Sequence, residues 1–152
     1  MKEITGNIWE VEGDWICIPT NGFVKSDGTA VMGRGLAKQA RQKFPGIEIT
    51  LGRSLIATGN IIHVLRRKEK EPVLLSFPTK EDWRDPADLE LIQNSCRELR
   101  SYWRGAQLVD KNPKTVLLPR VGSGNGRLEW PKVKALLEVE LPEDSFVVVS
   151  LV

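Results

Sequence analysis

The chain has 152 residues, 41% of them hydrophobic and 28% charged, with a formal net charge of +2. That suffices for one domain with its own core and is short for two, and the slight basic excess lacks the charge density of a dedicated nucleic-acid binder. No run approaches the roughly 18 apolar residues of a membrane span, no long apolar leader precedes the first strand pattern, and two cysteines with one histidine make no zinc ligand set. The expectation is a single cytoplasmic domain over residues 1–152, with no metal and no membrane contact, in which Cys17 and Cys96 are buried free thiols.

Lys2–Thr5 predicts a first strand. After Gly6-Asn7-Ile8-Trp9 and an acidic stretch with Glu10, Glu12 and Asp14, Trp15–Thr20 predicts a second, apolar without alternation as in strands covered on both faces. Pro19 is expected to end its ladder, because proline has no N–H to donate. Asn21 and a long glycine-bearing stretch follow, leading into a helix in which Leu36, Ala40 and Phe44 recur at four-residue spacing until Pro45-Gly46 stops it.

Asn60–Leu65 and Val73–Phe77 predict two strands joined by a mixed-charge link short enough for a hairpin. Its Arg66, Arg67 and Lys68 either solvate a turn or contact phosphate. Asp85-Pro86-Ala87-Asp88 predicts a helix start, with Asp85 as the cap and Pro86 at the first helical position. Leu89, Ile92, Cys96, Leu99 and Trp103 then mark one apolar stripe, closed at Gly105. Thr115–Pro119 predicts another buried strand, and Gly122-Ser123-Gly124-Asn125-Gly126 a second glycine loop. A helix from about Pro131 has Val133, Leu136 and Leu137 inward, and Phe146–Leu151 predicts a last strand, so that the chain is expected to end inside the sheet. There is no internal repeat, low-complexity segment or linker.

In open α/β sheets ligands settle beyond the carboxyl ends of strands. Two glycine loops here leave a strand and enter a helix, offering unpaired amides and the positive end of the helix dipole to an anion. A third strand exit, Ser76–Arg84, adds Lys80, Trp83 and Arg84. Taken singly, each loop's glycines are explained by turns that need positive φ; together they point to a phosphate or diphosphate site. Gly28–Gly35 has the glycine spacing of a Walker A loop but carries arginine in place of its lysine and glycine in place of its Ser/Thr, which excludes kinase-like chemistry. Gly33-Arg34-Gly35-Leu36-Ala37-Lys38 starts like a dinucleotide fingerprint but ends in lysine, after a loop too long for a tight βα turn.

These residues resemble a macrodomain, the ADP-ribose-binding family, across nearly the whole chain. Gly6-Asn7-Ile8 is similar to its first motif, Asn21 to its pocket asparagine, Val31–Ala37 to its first phosphate loop, and Leu118–Gly126 with Leu128 and Trp130 to its second. Phe77-Pro78-Thr79-Lys80 with Trp83-Arg84 resembles the branch of the terminal ADP-ribose protein glycohydrolase and, above all, of the DNA-ADP-ribosyl glycohydrolase antitoxin. The resemblance implies a three-layer α/β/α sandwich around a mixed, about six-stranded sheet. It places adenine near Asn7, Ile8 and the final strand with Leu151. The diphosphate falls between Met32, Gly33, Arg34 and Gly35 on one side and Ser123, Gly124, Asn125 and Gly126 on the other, with Val31, Pro119, Val121 and Gly122 also in the ligand-binding set. The distal ribose falls near Asn21 and Lys80, and Thr20 joins the ligand-binding set.

The resemblance also implies that Lys80 is catalytic, attacking or stabilising the anomeric carbon, that Asn21 orients the ribose, and that no cofactor is required. A lysine amine becomes nucleophilic when burial or a neighbouring cation lowers its pKa, and Arg84 is the expected cation. A plain phosphate contact or a solvated charge is the alternative for Lys80. Asn7 stands where the family's adenine-recognising aspartate does, and its amide can still pair with adenine. Gly126 stands where the protein glycohydrolase has a carboxylate; the antitoxin branch also has glycine there. The segment Gly22–Ala30 is longer than in either relative, with Lys25-Ser26-Asp27-Gly28 as a turn at its tip, a lid or a selector of substrate.

The expected function is an ADP-ribosyl hydrolase that removes ADP-ribose from a nucleic-acid base or protein side chain. The alternatives are a reader of ADP-ribose without turnover and an ADP-ribose 1″-phosphate phosphatase. The expected partner is ADP-ribose or an ADP-ribosylated macromolecule, for a monomeric protein. DNA as carrier draws on Lys38, Arg41, Lys43, Arg66, Arg67 and Lys68, charges that solvated faces explain equally well.

Overall fold

Apolar strands without polar alternation must be covered on both faces, and that requirement builds the molecule. The computed structural model describes residues 1–151; Val152, the last residue of the expected domain, lies outside the described residues. Six strands, β1 (Lys2–Thr5), β2 (Trp15–Asn21), β3 (Val64–Arg66), β4 (Val73–Lys80), β5 (Val116–Leu118) and β6 (Phe146–Ser150), form one sheet in the order β1-β6-β5-β2-β4-β3. All neighbouring pairs are parallel except the β3–β4 hairpin. Four helices, α1 (Gly35–Lys43), α2 (Ile47–Thr58), α3 (Leu89–Val109) and α4 (Trp130–Glu140), complete the described elements apart from a short 3-10 turn at Gly124–Gly126.

Consecutive strand residues point to opposite faces. Ile16, Ile18, Leu74 and Leu117 pack with Ala37 and Ala40 of α1 and with Ile47, Leu51 and Leu55 of α2. Cys17, Leu75, Phe77, Val116, Leu118 and Phe146 pack on the other face with Ile92, Cys96, Leu99 and Trp103 of α3 and with Val133 and Leu137 of α4. The result is the expected three-layer α/β/α sandwich on a mixed six-stranded sheet. Both thiols are free and buried, and burial raises their pKa values far above the ordinary thiol range, Cys96 to about 12, so neither is a thiolate at neutral pH.

Several boundaries differ from expectation. β2 runs through Pro19 to Asn21, because β2 pairs with β5 only at Trp15 and Ile16, and by Pro19 there is no ladder on that side to interrupt. The strand expected over Asn60–Leu65 is reduced to Val64–Arg66. Its backbone donors are taken by side chains: Ile62 N–H by Glu98 Oε1 at 2.9 Å and His63 N–H by Ser76 Oγ at 2.7 Å. The cap of α3 is Asp88, not Asp85; Asp88 Oδ1 accepts the N–H groups of Glu90 and Leu91 at 2.9 and 3.4 Å. α3 also continues past Gly105 to Val109. Between α1 and β3 lies α2, which sequence reading missed: Gly46, at φ 103°, turns the chain out of α1 directly into it.

α2 also supports the Gly22–Ala30 excursion. Val24 and Ala30 form an antiparallel bridge, Gly28 at φ 84° closes the turn onto Lys25 O at 2.9 Å, and Ala30 N–H donates to Glu48 O at 2.9 Å. The Gly28 carbonyl oxygen lies 2.0 Å from where a Cβ on Gly52 would stand. Gly52→Ala is therefore expected to destabilise the protein by about 1–3 kcal/mol, since backbone must move to admit the methyl group. At Gly105 an added Cβ meets nothing within 4 Å, and Gly105→Ala is expected to stabilise by about 0.5–1 kcal/mol through helix propensity alone. Urea unfolding of the two variants measures both; equal effects would refute the close contact of Gly28 with α2.

Candidate functional site

β2, β4 and β5 end at the same edge of the sheet, and the segments that leave them enclose a cleft of about 590 Å³, a volume suited to a small ligand. The β2 end contributes Pro19, Thr20 and Asn21, the excursion Phe23 and Lys25, and the first glycine loop Val31–Ala37. The β4 end gives Thr79, Lys80, Trp83 and Arg84; the second glycine loop gives Pro119, Arg120, Gly122, Ser123, Asn125 and Gly126. Among the described residues no Asp, Glu or His lines it.

The two glycine loops face one another closely. Gly35 opens α1 at φ 56°, and a Cβ there would lie 3.2 Å from the Asn125 amide nitrogen. α1 has no side-chain cap and no acidic residue in its first turn, so its free amides and the positive end of its dipole are directed at whatever enters. Gly122 and Gly124, at φ 78° and 65°, give the second loop a backbone that other residues adopt reluctantly.

Register places the two expected catalytic residues side by side: Asn21 pairs with Lys80 across β2 and β4, after a shift between Thr20 and Asn21. Lys80 is half-buried and its Nζ donates to Asn125 O at 3.4 Å. Its pKa is lowered, first by burial and then by the guanidiniums of Arg127 and Arg34, with Asp85 opposing. Arg84, the cation expected from sequence, is otherwise engaged. Its Nε and Nη2 donate to the Asp82 carboxylate at 2.9 and 2.6 Å, and that pairing holds Asp82 at about 2. Asn21 ties down the excursion: Nδ2 donates to Val31 O at 3.1 Å and Oδ1 accepts Phe23 N–H at 3.0 Å. One amide hydrogen is left over. The buried hydroxyls of Thr20 and Ser123 have no hydrogen-bond partner among the described residues, unusual for buried polar atoms and apt for a ligand.

Five residues expected to bind ligand do not line this cleft. Asn7 is exposed, its Oδ1 accepting Trp9 N–H at 3.0 Å in a local turn; Ile8 and Val121 belong to the packed core; Leu151 is 82% exposed. Gly124 lines an adjoining recess instead, with Arg34, Trp83, Arg84, Asn125 and Arg127. Conversely, Arg120 lies within the second phosphate-loop motif but is not among the expected ligand-binding residues, and it lines the cleft. It donates from Nε to Ser150 Oγ at 2.8 Å and lies 5.2 Å from the Trp130 ring, and Ser150 and Trp130 both donate to Glu3. Only the pairing of β1 with β6 brings Glu3 to Ser150. Phe23 and Lys25 were also missed as cleft residues, since nothing local to a turn says which way its stem faces. At Gly126 an added Cβ would lie 2.9 Å from Ala87 Cβ, so a side chain there would have to displace Ala87. Among the described residues no three His, Cys, Asp or Glu side chains are grouped to hold a metal, and no helix is long and apolar enough to cross a membrane.

No protein-family model matches the sequence. The chain is 28% identical over 137 residues to the DNA ADP-ribosyl glycohydrolase of Thermus aquaticus, covering 86% of this chain and 37% of that protein. It is 28% identical over 138 residues to the DNA ADP-ribosyl glycohydrolase of Mycobacterium tuberculosis, covering 82% and 36%. It thus spans little more than a third of the curated relatives' length. Its structure matches the macrodomain of Thermus aquaticus DarG with a TM-score of 0.75 at 22% identity, over 99% of this chain and 97% of that one. It matches Thermosipho africanus DarTG in complex with ADP-ribose at 0.77 and 20% identity, over 99% of this chain and 42% of that one.

Lys80 is expected to lose its proton at lower pH than the exposed lysines, because burial and two guanidiniums disfavour its cation. Arg127→Asn and Arg34→Ala should each move that titration upward, toward the ordinary lysine value. Nuclear magnetic resonance titration of carbon-13-labelled lysine reads both; a Lys80 that titrates with the surface lysines in every variant would contradict the electrostatics described.

Proposed function

We propose, on the premise that the chain has the macrodomain fold, that it is an ADP-ribosyl hydrolase: ADP-ribose occupies the cleft, and its bond to a base or protein side chain is cleaved. The observation that carries this is Lys80, set beside Asn21 at the mouth of two glycine loops with its ammonium form disfavoured. The two relatives described as DNA ADP-ribosyl glycohydrolases lend support.

The diphosphate would lie between the amides at the start of α1 and those of Gly122–Gly126, where its charge meets the helix dipole. The hydroxyls of Thr20 and Ser123 and the remaining Asn21 amide hydrogen are then available to sugar and phosphate oxygens. The neutral Lys80 amine attacks the anomeric carbon, and the bond to the carrier breaks with its electron pair leaving on the carrier atom. The ammonium so formed passes one proton to the departing carrier and the second to the ring oxygen as the C–O bond opens, leaving a neutral Schiff base that water hydrolyses to ADP-ribose and free amine. Only the unprotonated amine attacks, so the rate should rise with pH through the Lys80 pKa, and the lowered value moves that rise toward neutrality.

Gly126 favours a second reading, a reader of ADP-ribose without turnover, since glycine there supplies no assisting carboxylate. Nothing favours the phosphatase alternative, because among the described residues no His or carboxylate lines the cleft. Incubation with ADP-ribosylated DNA and with ADP-ribosylated protein separates these. The wild type is expected to release ADP-ribose from at least one, and Lys80→Ala to be slower by about 100-fold or more while still binding free ADP-ribose by calorimetry. Equal release by the variant would sink the lysine mechanism; binding without release by the wild type would establish the reader.

A further inference from the structure

We propose that the recess adjoining the cleft is a docking subsite for the strand of a nucleic-acid carrier, in which Arg34 and Arg127 hold a phosphodiester and Trp83 stacks the base next to the modified one. The recess measures about 450 Å³ and shares Arg34, Trp83, Arg84 and Asn125 with the cleft. It lies on the Lys80 side: Asn125 accepts the Lys80 hydrogen bond, and Arg34 and Arg127 act electrostatically on that amine. Chain attached at the reacting carbon therefore has this space before it. The cleft alone is already large enough for a small ligand, which leaves the recess to the carrier.

Its chemistry selects an anion with a flat neighbour. Three arginines line the recess and, among the described residues, no carboxylate does. Arg84 is neutralised by Asp82, whereas Arg34 and Arg127 make no ion pair among the described residues. Arg127 spends one contact, Nη2 to Arg84 O at 3.0 Å. Arg41, Arg53, Arg67 and Arg104 also make no ion pair among the described residues, but Arg34 and Arg127 line one recess together, where their charges add. Guanidinium forks match phosphate oxygens in pairs. The Trp83 indole is 39% exposed, with Arg84 5.7 Å from its ring and that same guanidinium 5.5 Å from Phe23. It is a braced aromatic surface of the kind on which single-stranded bases stack. A folded protein carrier supplies neither a repeating anion nor a base.

Resting on the hydrolase reading only for the position of the reacting carbon, the subsite is tested by binding and not by turnover. The probes are a fluorescein-labelled single-stranded oligothymidylate without ADP-ribose, followed by anisotropy at low and rising salt, and free ADP-ribose, followed by calorimetry. Arg127→Asn suits the backbone, because Arg127 sits at φ 63° and asparagine tolerates that region. It should weaken strand binding about tenfold and lower the salt slope by about one, with ADP-ribose affinity changed less than about twofold. Trp83→Ala should weaken strand binding about tenfold without changing the salt slope. No strand binding by the wild type at low salt, or unchanged strand affinity in both variants, overturns the subsite. So does equal competition by a polyglutamate peptide, which would give the recess to an acidic protein carrier. A wild type that fails to bind ADP-ribose, or releases none from any substrate, counts against the hydrolase reading alone.

Discussion

β2 and β4 are covered on both faces along most of their length, and the site is built where their carboxyl ends emerge from that cover. Four of the six buried polar side chains among the described residues, Thr20, Asn21, Ser76 and Thr79, lie on these two strands. Thr79 Oγ1 donates to Thr20 O at 3.2 Å across the pair, and the register shift just beyond sets Asn21 opposite Lys80. A one-residue change of pairing would turn the lysine into the core or away from the cleft. Burial of the strands thus fixes both where the amine stands and why its charged form is disfavoured there.

The entry to α3 holds the separate loops at fixed distances. Ala87 N–H donates to Gly126 O at 2.8 Å, Asp88 N–H to Thr79 O at 2.7 Å, and Ser95 Oγ to Pro78 O at 2.7 Å. One short stretch therefore binds the second glycine loop to the end of β4, and Ala87 crowds any side chain added at Gly126. Preorganisation of this kind lets loops act with the accuracy of regular elements.

Much of this was legible in the sequence wherever the cause is local. Gly35, Gly122 and Gly124 announce positive φ; the spacing of Ile92, Cys96, Leu99 and Trp103 announces a buried helix face; the unbroken run Trp15–Ile18 announces a strand covered twice. What escaped depends on contacts distant in sequence. α2 hides because Thr50 and Gly52 dilute its period, although Gly52 is there to admit the backbone of Gly28. Asp85 and Asp88 are equivalent caps by pattern; Thr79 O and Gly126 O, by taking the amides of Asp88 and Ala87, decide between them. Arg84 looked like the partner of Lys80 because it is near in the chain, but Asp82 is nearer still, and the cations that act on the amine arrive from residues 34 and 127.

The excursion over residues 22–30 is tied at its stem by Asn21, at its return by the bond from Ala30 to Glu48, and at its tip by the Gly28 carbonyl seated against Gly52. Three attachments of this kind oppose a swing of the segment as a unit. Phe23 and Lys25 are accordingly presented to the cleft as part of a fixed frame. The adjustable parts are the long exposed side chains at its rim, Arg34, Arg84 and Arg127, and the indole of Trp83. Such exposed side chains change rotamer on the picosecond-to-nanosecond scale, so variation in the outline of the cleft falls to its rim and not to the tied backbone of residues 22–30.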